Sequence, residues 1–224
     1  MNLDKHSAVA QPRTATSGAL ATNKVLRNTY MLLSMTLLFS GLTAAFAVAT
    51  NAPHLGLLTL VIYFGLLFAT SALRNSVWGI AMVFALTGFL GYTLGPLLSF
   101  YLSTPGGSQI VMMALGGTGV IFLALSGYVL VTGKDMSFMA GFLMVGILVA
   151  FLASLAAFLF SIPALALAVA AMFIVLMSML IMYQTSEIIH GGETNYIMAT
   201  VTLYVALFNL FQSLLMILGI FGDD

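Results

Sequence analysis

Long apolar runs separated by short polar segments dominate the chain after residue 30. A hydrocarbon core about 30 Å thick needs a helix of about 20 apolar residues. Seven runs approach or exceed that length, at 30–50, 55–73, 77–102, 109–131, 138–160, 164–189 and 196–220. The separators are rich in Asn, Pro, Gly and Ser, which are turn residues. This pattern predicts an all-α membrane protein, a bundle of seven transmembrane helices.

Two other interpretations of the apolar runs are weaker. Strands of a membrane β-barrel alternate apolar and polar residues, whereas these runs are apolar at consecutive positions. The first run contains an Ala-Phe-Ala sequence at 45–47 that imitates a signal-peptide cleavage site. Its apolar stretch is longer than the about 7 to 15 residues of a signal peptide. We therefore expect the first run to remain as a transmembrane helix.

Charge is scarce and unevenly placed. The 224 residues include six Lys and Arg and six Asp and Glu, about 5% against roughly 25% in soluble domains. This excludes a soluble enzyme and leaves no basic surface for nucleic acid. Basic residues concentrate in cytoplasmic loops, and with seven spans all six fall on one side of the membrane. The amino terminus is predicted to be cytoplasmic and the carboxyl terminus periplasmic. The six are Lys5, Arg13, Lys24, Arg27, Arg74 and Lys134.

The chain divides into two predicted regions. Residues 1–29 begin with a mixture of Ser, Thr, Ala, Gln, Pro and charged side chains without periodicity, which favours a mobile cytosolic tail. Residues 30–224 form the membrane domain. An ordinary frayed terminus is the simpler interpretation of the tail.

Polar residues inside the spans are mostly Ser and Thr, which commonly link helices in membranes. Gly88, Gly91 and Gly95 lie on one side of the third span and predict close approach by another helix. Pro96 predicts a bend or break, because it lacks a backbone N–H. Such a break either lines a cavity or is a packing kink.

Glu187 and His190 are the strongest candidates for a metal site, since they are three residues apart at a helix end. Two candidate ligands are a weak signal. A structural role is the alternative, with Gly191 ending one helix and Thr194 or Asn195 capping the next. The chain has no Cys, and no pattern of nucleophile and base or of a phosphate loop occurs. We expect no cofactor, no catalytic residue and no enzymatic activity.

Several motifs resemble the Bax-inhibitor (transmembrane Bax inhibitor motif) family. The strings are NKVLRNTY at 23–30, TGFLGYTLGP at 87–96, KDMSF at 134–138, QTSEIIHGGETNYI at 184–197, LY at 203–204 and FNLF at 208–211. The resemblance covers the whole membrane domain and is specific to a bacterial branch. It implies a seven-helix bundle in the bacterial inner membrane.

For that branch, the resemblance implies binding to the ATP-dependent membrane protease FtsH, whose activity the partner restrains. A processive protease needs a loose cytosolic end, and the tail carrying Lys5, Arg13 and Lys24 offers one. The bundle behind it is expected to resist extraction, because backbone hydrogen bonds broken in lipid cost several kcal/mol each. The chain is therefore interpreted as a slowly processed client that competes with others.

Elsewhere in the family the resemblance implies a pH-sensitive calcium leak, gated by two aspartates that share a proton. Those positions fall on Gln184 and Ala206 here, and neither side chain titrates. Arg74 lies near a basic position of the motif, and Glu187 is its candidate ion-pair partner. Calcium conduction is therefore the alternative function, and a structural membrane protein is a third.

Overall fold

A computed structural model describes the backbone of residues 13–221 and the side chains of residues 24–220. This part of the chain forms seven α-helices and a short 3-10 turn, Ser137–Met139, with no β-strand. The all-α prediction is confirmed for these residues. The helices are Arg13–Ala49 (α1), Leu58–Leu73 (α2), Val77–Leu102 (α3), Gly107–Thr132 (α4), Ala140–Leu159 (α5), Pro163–His190 (α6) and Tyr196–Phe221 (α7).

Six of the helices in this part of the chain are long and apolar enough to cross a membrane. The exception is α2, whose 16 residues extend about 24 Å at 1.5 Å per residue. It begins at Leu58 instead of residue 55, because the preceding residues form tight turns in which Leu58 N–H donates to the Leu55 carbonyl. Gly56 adopts a φ of 54° in this segment, a value that favours glycine.

The first helix begins earlier than predicted. Helix α1 starts at Arg13, so residues 13–29 extend the helix that was expected to begin near residue 30. Val25 and Leu26 pack against the core, and Thr29 is fully buried. The packed bundle therefore includes residues that the prediction assigned to the tail.

Helices α1 and α3 run parallel and form the most extensive helix interface. Phe39 of α1 lies opposite Gly88 of α3, and Ala47 lies opposite Gly95. Residue numbers therefore increase in the same direction along both helices. Because α2 connects the end of α1 to the start of α3, it returns along the length of the bundle.

Helix α7 is parallel to this pair. Ile197 at its start lies beside Gly79 of α3, and Gly219 near its end lies beside Tyr101. Its central residues Leu203, Leu207 and Leu210 are in the core cluster, to which every other α-helix contributes. Helix α7 thus occupies the centre of the bundle.

The helices around α7 differ in how many other helices they contact. Helix α4 contacts α6 and α7, whereas the extensive contacts of α5 are confined to α6 and the 3-10 turn. Several α5 side chains are largely exposed, among them Met144 and Val145. Lipid would cover these apolar faces.

Two ends of the bundle can be distinguished. We call the end that carries Arg74, Lys134 and Asn195 the basic end, and the end where α1, α3, α5 and α7 finish the far end. Polar contacts join the loops at the basic end, where the Asn195 amide donates to the Arg74 carbonyl at 3.1 Å and to Asn75 Oδ1 at 2.9 Å.

Candidate functional site

The three glycines of α3 face α1. A Cβ on Gly88 would lie 2.5 Å from the ring of Phe39, and one on Gly95 would lie 2.5 Å from Ala47 Cβ. At Gly91 a Cβ would lie 2.6 Å from Ser40 Oγ and would also meet the Ser40 carbonyl. These distances are shorter than ordinary carbon contacts. The glycines are therefore what allows the α1 and α3 backbones to approach.

Pro96 does not break its helix. Helix α3 continues without interruption from Val77 to Leu102, so the structure has no break there. Pro96 does line a cleft of about 380 Å³ together with His54, Tyr92 and Gln212.

Tyr204 joins the three parallel helices. Its hydroxyl lies 2.5 Å from Ser40 Oγ of α1 and donates to the Thr87 carbonyl of α3 at 3.1 Å. The side chain is almost completely buried, with 1% exposed. The sequence indicated no such role, because a tyrosine within an apolar helix carries no sign of its hydrogen-bond partners.

A second set of hydroxyls links α1, α4 and α6 nearer the basic end. Tyr30 Oη is hydrogen-bonded to Ser126 Oγ, which lies 3.3 Å from Thr185 Oγ1. Thr185 also donates to the Ile181 carbonyl of its own helix at 2.8 Å. Interhelical hydroxyl bonds of this kind hold helices together where water is absent.

The two positions of the family's proton-sharing pair are both buried. Gln184 on α6 is 5% exposed, and Ala206 on α7 is fully buried. Within residues 24–220 the Gln184 Nε2 has no hydrogen-bond partner. An unpaired buried amide destabilises the fold by about 1–3 kcal/mol. The site is therefore polar but not ionisable.

Arg74 and Glu187 are not brought together as an ion pair. The Glu187 carboxyl group lies over the following loop, where a Cβ on Gly192 would be 2.9 Å from its carboxyl carbon. The backbone carbonyl of Arg74 is instead an acceptor for Asn195 Nδ2. The α2–α3 loop is thus joined to the α6–α7 loop through amide groups and not through charge.

The candidate metal ligands Glu187 and His190 have separate contacts. His190 Nδ1 lies 2.9 Å from the Ser186 carbonyl, as a histidine N–H donor would, while the Glu187 carboxyl lies over Gly192. The residues that the structure describes contain no group of three His, Asp or Glu side chains that could hold a metal. Gly191 ends α6 with a φ of 78°, as the capping alternative predicted.

Asn195 caps the last helix. Its Oδ1 accepts hydrogen bonds from the backbone N–H groups of Ile197 at 3.0 Å and Met198 at 3.1 Å. These donors have no partner within the helix. Of the two N-cap residues considered, the structure selects Asn195, whose amide nitrogen also reaches the α2–α3 loop.

The α4–α5 loop is held to α6 by Ser186. Ser186 Oγ accepts from Met136 N–H at 2.9 Å and donates to the Lys134 carbonyl at 3.3 Å. The loop charges are exposed. A hydrogen bond to Tyr128 raises the pKa of Lys134, and a hydrogen bond from the Ser137 N–H lowers the pKa of Asp135. Both groups are therefore charged at neutral pH.

Of the tail residues, Lys24 is exposed on α1. Arg13 is the first residue of α1, and its side chain lies outside the described residues, as does all of Lys5. The structure therefore places one of the three basic residues assigned to protease engagement, on the helix that leads into the bundle.

The fold and its polar groups define a multi-pass α-helical membrane protein in which interior hydroxyls and amides connect helices. The sequence profile of the family described as "Inhibitor of apoptosis-promoting Bax1" matches residues 22–223. The chain belongs to this family, as its motifs predicted.

Bacterial proteins of similar length are among its relatives. The chain is 53% identical to "Modulator of FtsH protease YccA" of Escherichia coli K12 over 206 residues, 92% of this chain and 94% of the relative. It is equally similar to "Inner membrane protein YccA" of E. coli O6:H1. It is 49% identical to an uncharacterized protein of Pseudomonas aeruginosa, covering 98% of this chain and 96% of that one. The chain is therefore a multi-pass inner-membrane protein, as predicted.

Proposed function

We propose that this chain is a regulatory protein and not an enzyme, and that it binds and restrains the membrane protease FtsH. The observation that carries the proposal is its 53% identity, over nearly the full length of both chains, to a relative named as a modulator of that protease. The packed hydroxyl and amide contacts of the interior are consistent with a regulatory bundle, because they link helices instead of presenting a reactive group.

The mode of restraint is competition by a client that is processed slowly. Helix α1 has 37 residues and a length of about 55 Å, against a hydrocarbon core of about 30 Å. Its first residues, which include Arg13 and Lys24, therefore extend beyond the membrane and follow the segment that carries Lys5. We propose that the protease grips this extension and then meets the packed α1–α3 interface.

The proposal requires the amino terminus to be cytoplasmic, with seven spans and a periplasmic carboxyl terminus. Two observations support this topology. Helices α1, α3 and α7 are parallel, so α2 must return between α1 and α3 despite its 16 residues. Arg74 and Lys134 lie in loops at the same end of the bundle as the start of α1, where basic residues mark the cytoplasm. A reporter that is active only outside the cytoplasm should be active when it is fused after Asp224.

The decisive experiment follows the half-life of another FtsH client with and without overexpression of this chain. The client should live longer when the full chain is present, and deletion of residues 2–20 should abolish both this effect and turnover of the chain itself. A matched variant with Lys5→Gln, Arg13→Gln and Lys24→Gln keeps the length of the chain. It distinguishes an effect of the three charges from an effect of the segment's length. An unchanged client half-life with the full chain would refute the proposal.

Calcium conduction is not advanced as a second function. The two pair positions, Gln184 and Ala206, are buried without a titratable group, so no shared proton can gate a path there. Calcium flux into liposomes containing the purified chain is expected to be equal at two pH values. Strong pH-gated flux would instead support the channel.

A further inference from the structure

Two adjoining clefts enter the far half of the bundle. One has a volume of about 380 Å³ and the other about 300 Å³. They share Ser154 and Phe158 of α5 and Gln212 of α7 as lining residues. The lining of the larger cleft includes His54 and Pro53, in the α1–α2 loop at the far end. Helix α5 makes its extensive contacts with α6, and the clefts lie where it faces α3 and α7.

Several polar side chains line the largely apolar clefts at the depth of the hydrocarbon layer. Asn209, Gln212 and Ser213 occupy one side of α7, since they are three and four residues apart. Counting back from Phe221 at 1.5 Å per residue, Gln212 lies about 14 Å and Asn209 about 18 Å from the end of the helix. Both amides are therefore inside the hydrocarbon layer, where polar groups need a partner.

These groups are only partly satisfied by protein. Asn209 Nδ2 donates to the Val205 carbonyl at 2.8 Å, which leaves its oxygen free to accept. Gln212 forms no hydrogen bond within residues 24–220 and is half-buried. Across the cleft, Pro96 has no N–H for the Tyr92 carbonyl one turn earlier, and both residues line the cleft. Residues with polar groups thus line the space on α3 as well as on α7.

We infer that the two clefts form one hydrated vestibule, open at the far end, that binds small uncharged molecules able to donate and accept hydrogen bonds, water first. None of the described lining residues is Asp, Glu, Lys or Arg, so no carboxylate, ammonium or guanidinium group is present to retain an ion. Toward the basic end the interior is filled by fully buried apolar residues such as Leu203, Ile181 and Ile188. The vestibule therefore ends within the bundle and does not continue across the membrane.

The chain has no Cys, so single-cysteine variants test this inference without a modified background. Because the thiolate is the nucleophile, a thiol reacts with a charged maleimide only where water reaches it. The two cleft variants are Gln212→Cys on α7 and Ser154→Cys on α5. The controls are Leu214→Cys, which lies closer to the far end but packs against Gly117, and Leu152→Cys, which is exposed outside the cleft.

The reagent is a small, membrane-impermeant maleimide applied to one side of the membrane at a time. Lys134→Cys and Ser108→Cys, both exposed, mark the basic and far sides respectively. The two cleft variants should react at least about tenfold faster than their controls, and from the side that labels Ser108→Cys. A maleimide carrying a large polyethylene glycol chain should label Ser108→Cys but not Gln212→Cys.

Three outcomes would overturn the inference. Equal rates at Gln212→Cys and Leu214→Cys would mean that no water reaches the cleft. Labelling of Gln212→Cys from the side that labels Lys134→Cys would mean that the interior is open through the basic end. Fast labelling by the polymer reagent would mean local opening of the helices and not a vestibule. None of these results bears on FtsH, so the inference and the proposed function fail independently.

Discussion

Replacing Gly91 with alanine tests the central helix contact most directly. A Cβ at this position would meet the Ser40 carbonyl and would lie 2.6 Å from Ser40 Oγ. The backbone of α1 cannot rotate away as a side chain can, so α1 and α3 must separate. Ser40 is also the partner of Tyr204 at 2.5 Å. The added methyl group therefore disturbs a packed interface and a buried hydrogen bond together.

The expected loss combines three terms. Overpacking of a filled interior costs about 1–3 kcal/mol, and the weakened Ser40–Tyr204 hydrogen bond about 1 kcal/mol. The higher helix propensity of alanine opposes them by up to about 1 kcal/mol. The net loss for Gly91→Ala is about 2 kcal/mol, equivalent to about 4–8 °C in Tm for a protein of this size.

The measurement is the temperature at which half of the protein in detergent is no longer monodisperse. Gly116→Ala is the matched control, because no atom lies within 4 Å of the place that a Cβ on this helical glycine would occupy; its Tm should be unchanged or higher. Gly88→Ala should fall between the two, since the Phe39 ring can rotate. If Gly91→Ala and Gly116→Ala unfold at the same temperature, the close approach of α1 and α3 is refuted.

Three further substitutions test other contacts by the same thermal assay. Tyr204→Phe should destabilise the bundle by about 1–3 kcal/mol by leaving buried partners unpaired, whereas Tyr63→Phe on α2 should have little effect. Equal effects would contradict the role of the Tyr204 hydroxyl in joining the helices. Asn195→Ala should cost about 1 kcal/mol through the lost cap, and Asn195→Ser, which keeps an accepting oxygen without adding a charge, should cost less. Gln184→Met should stabilise the chain by about 1 kcal/mol, because it removes an unpaired buried amide; a loss of stability would show that the amide has a partner.

The sequence was sufficient for the helices and for the family. Runs of about 20 apolar residues produce membrane helices because lipid cannot satisfy backbone groups, and six of the helices described have that length. The predicted ends of two helices differ from those in the structure. Helix α2 starts three residues late because its first residues turn, and α1 starts at Arg13 because helical structure extends beyond the apolar run.

The contacts between helices were beyond the sequence pattern. Spacing placed Gly88, Gly91 and Gly95 on one side of α3, but only the structure identifies α1 as the neighbour. Tyr204 binds groups 164 and 117 residues away, and no local pattern encodes such pairs. The clefts depend on which helices α5 packs against, and no local sequence pattern encodes that packing.

The parallel arrangement of α1 and α3 has a mechanical consequence. A pull on the amino terminus along the axis of α1 loads the α1–α3 interface in shear, so that contacts from Phe39 to Ala47 bear the force simultaneously. A peeling geometry would break them one at a time. The first step of extraction from this end is therefore also the step that meets the broadest interface of the bundle.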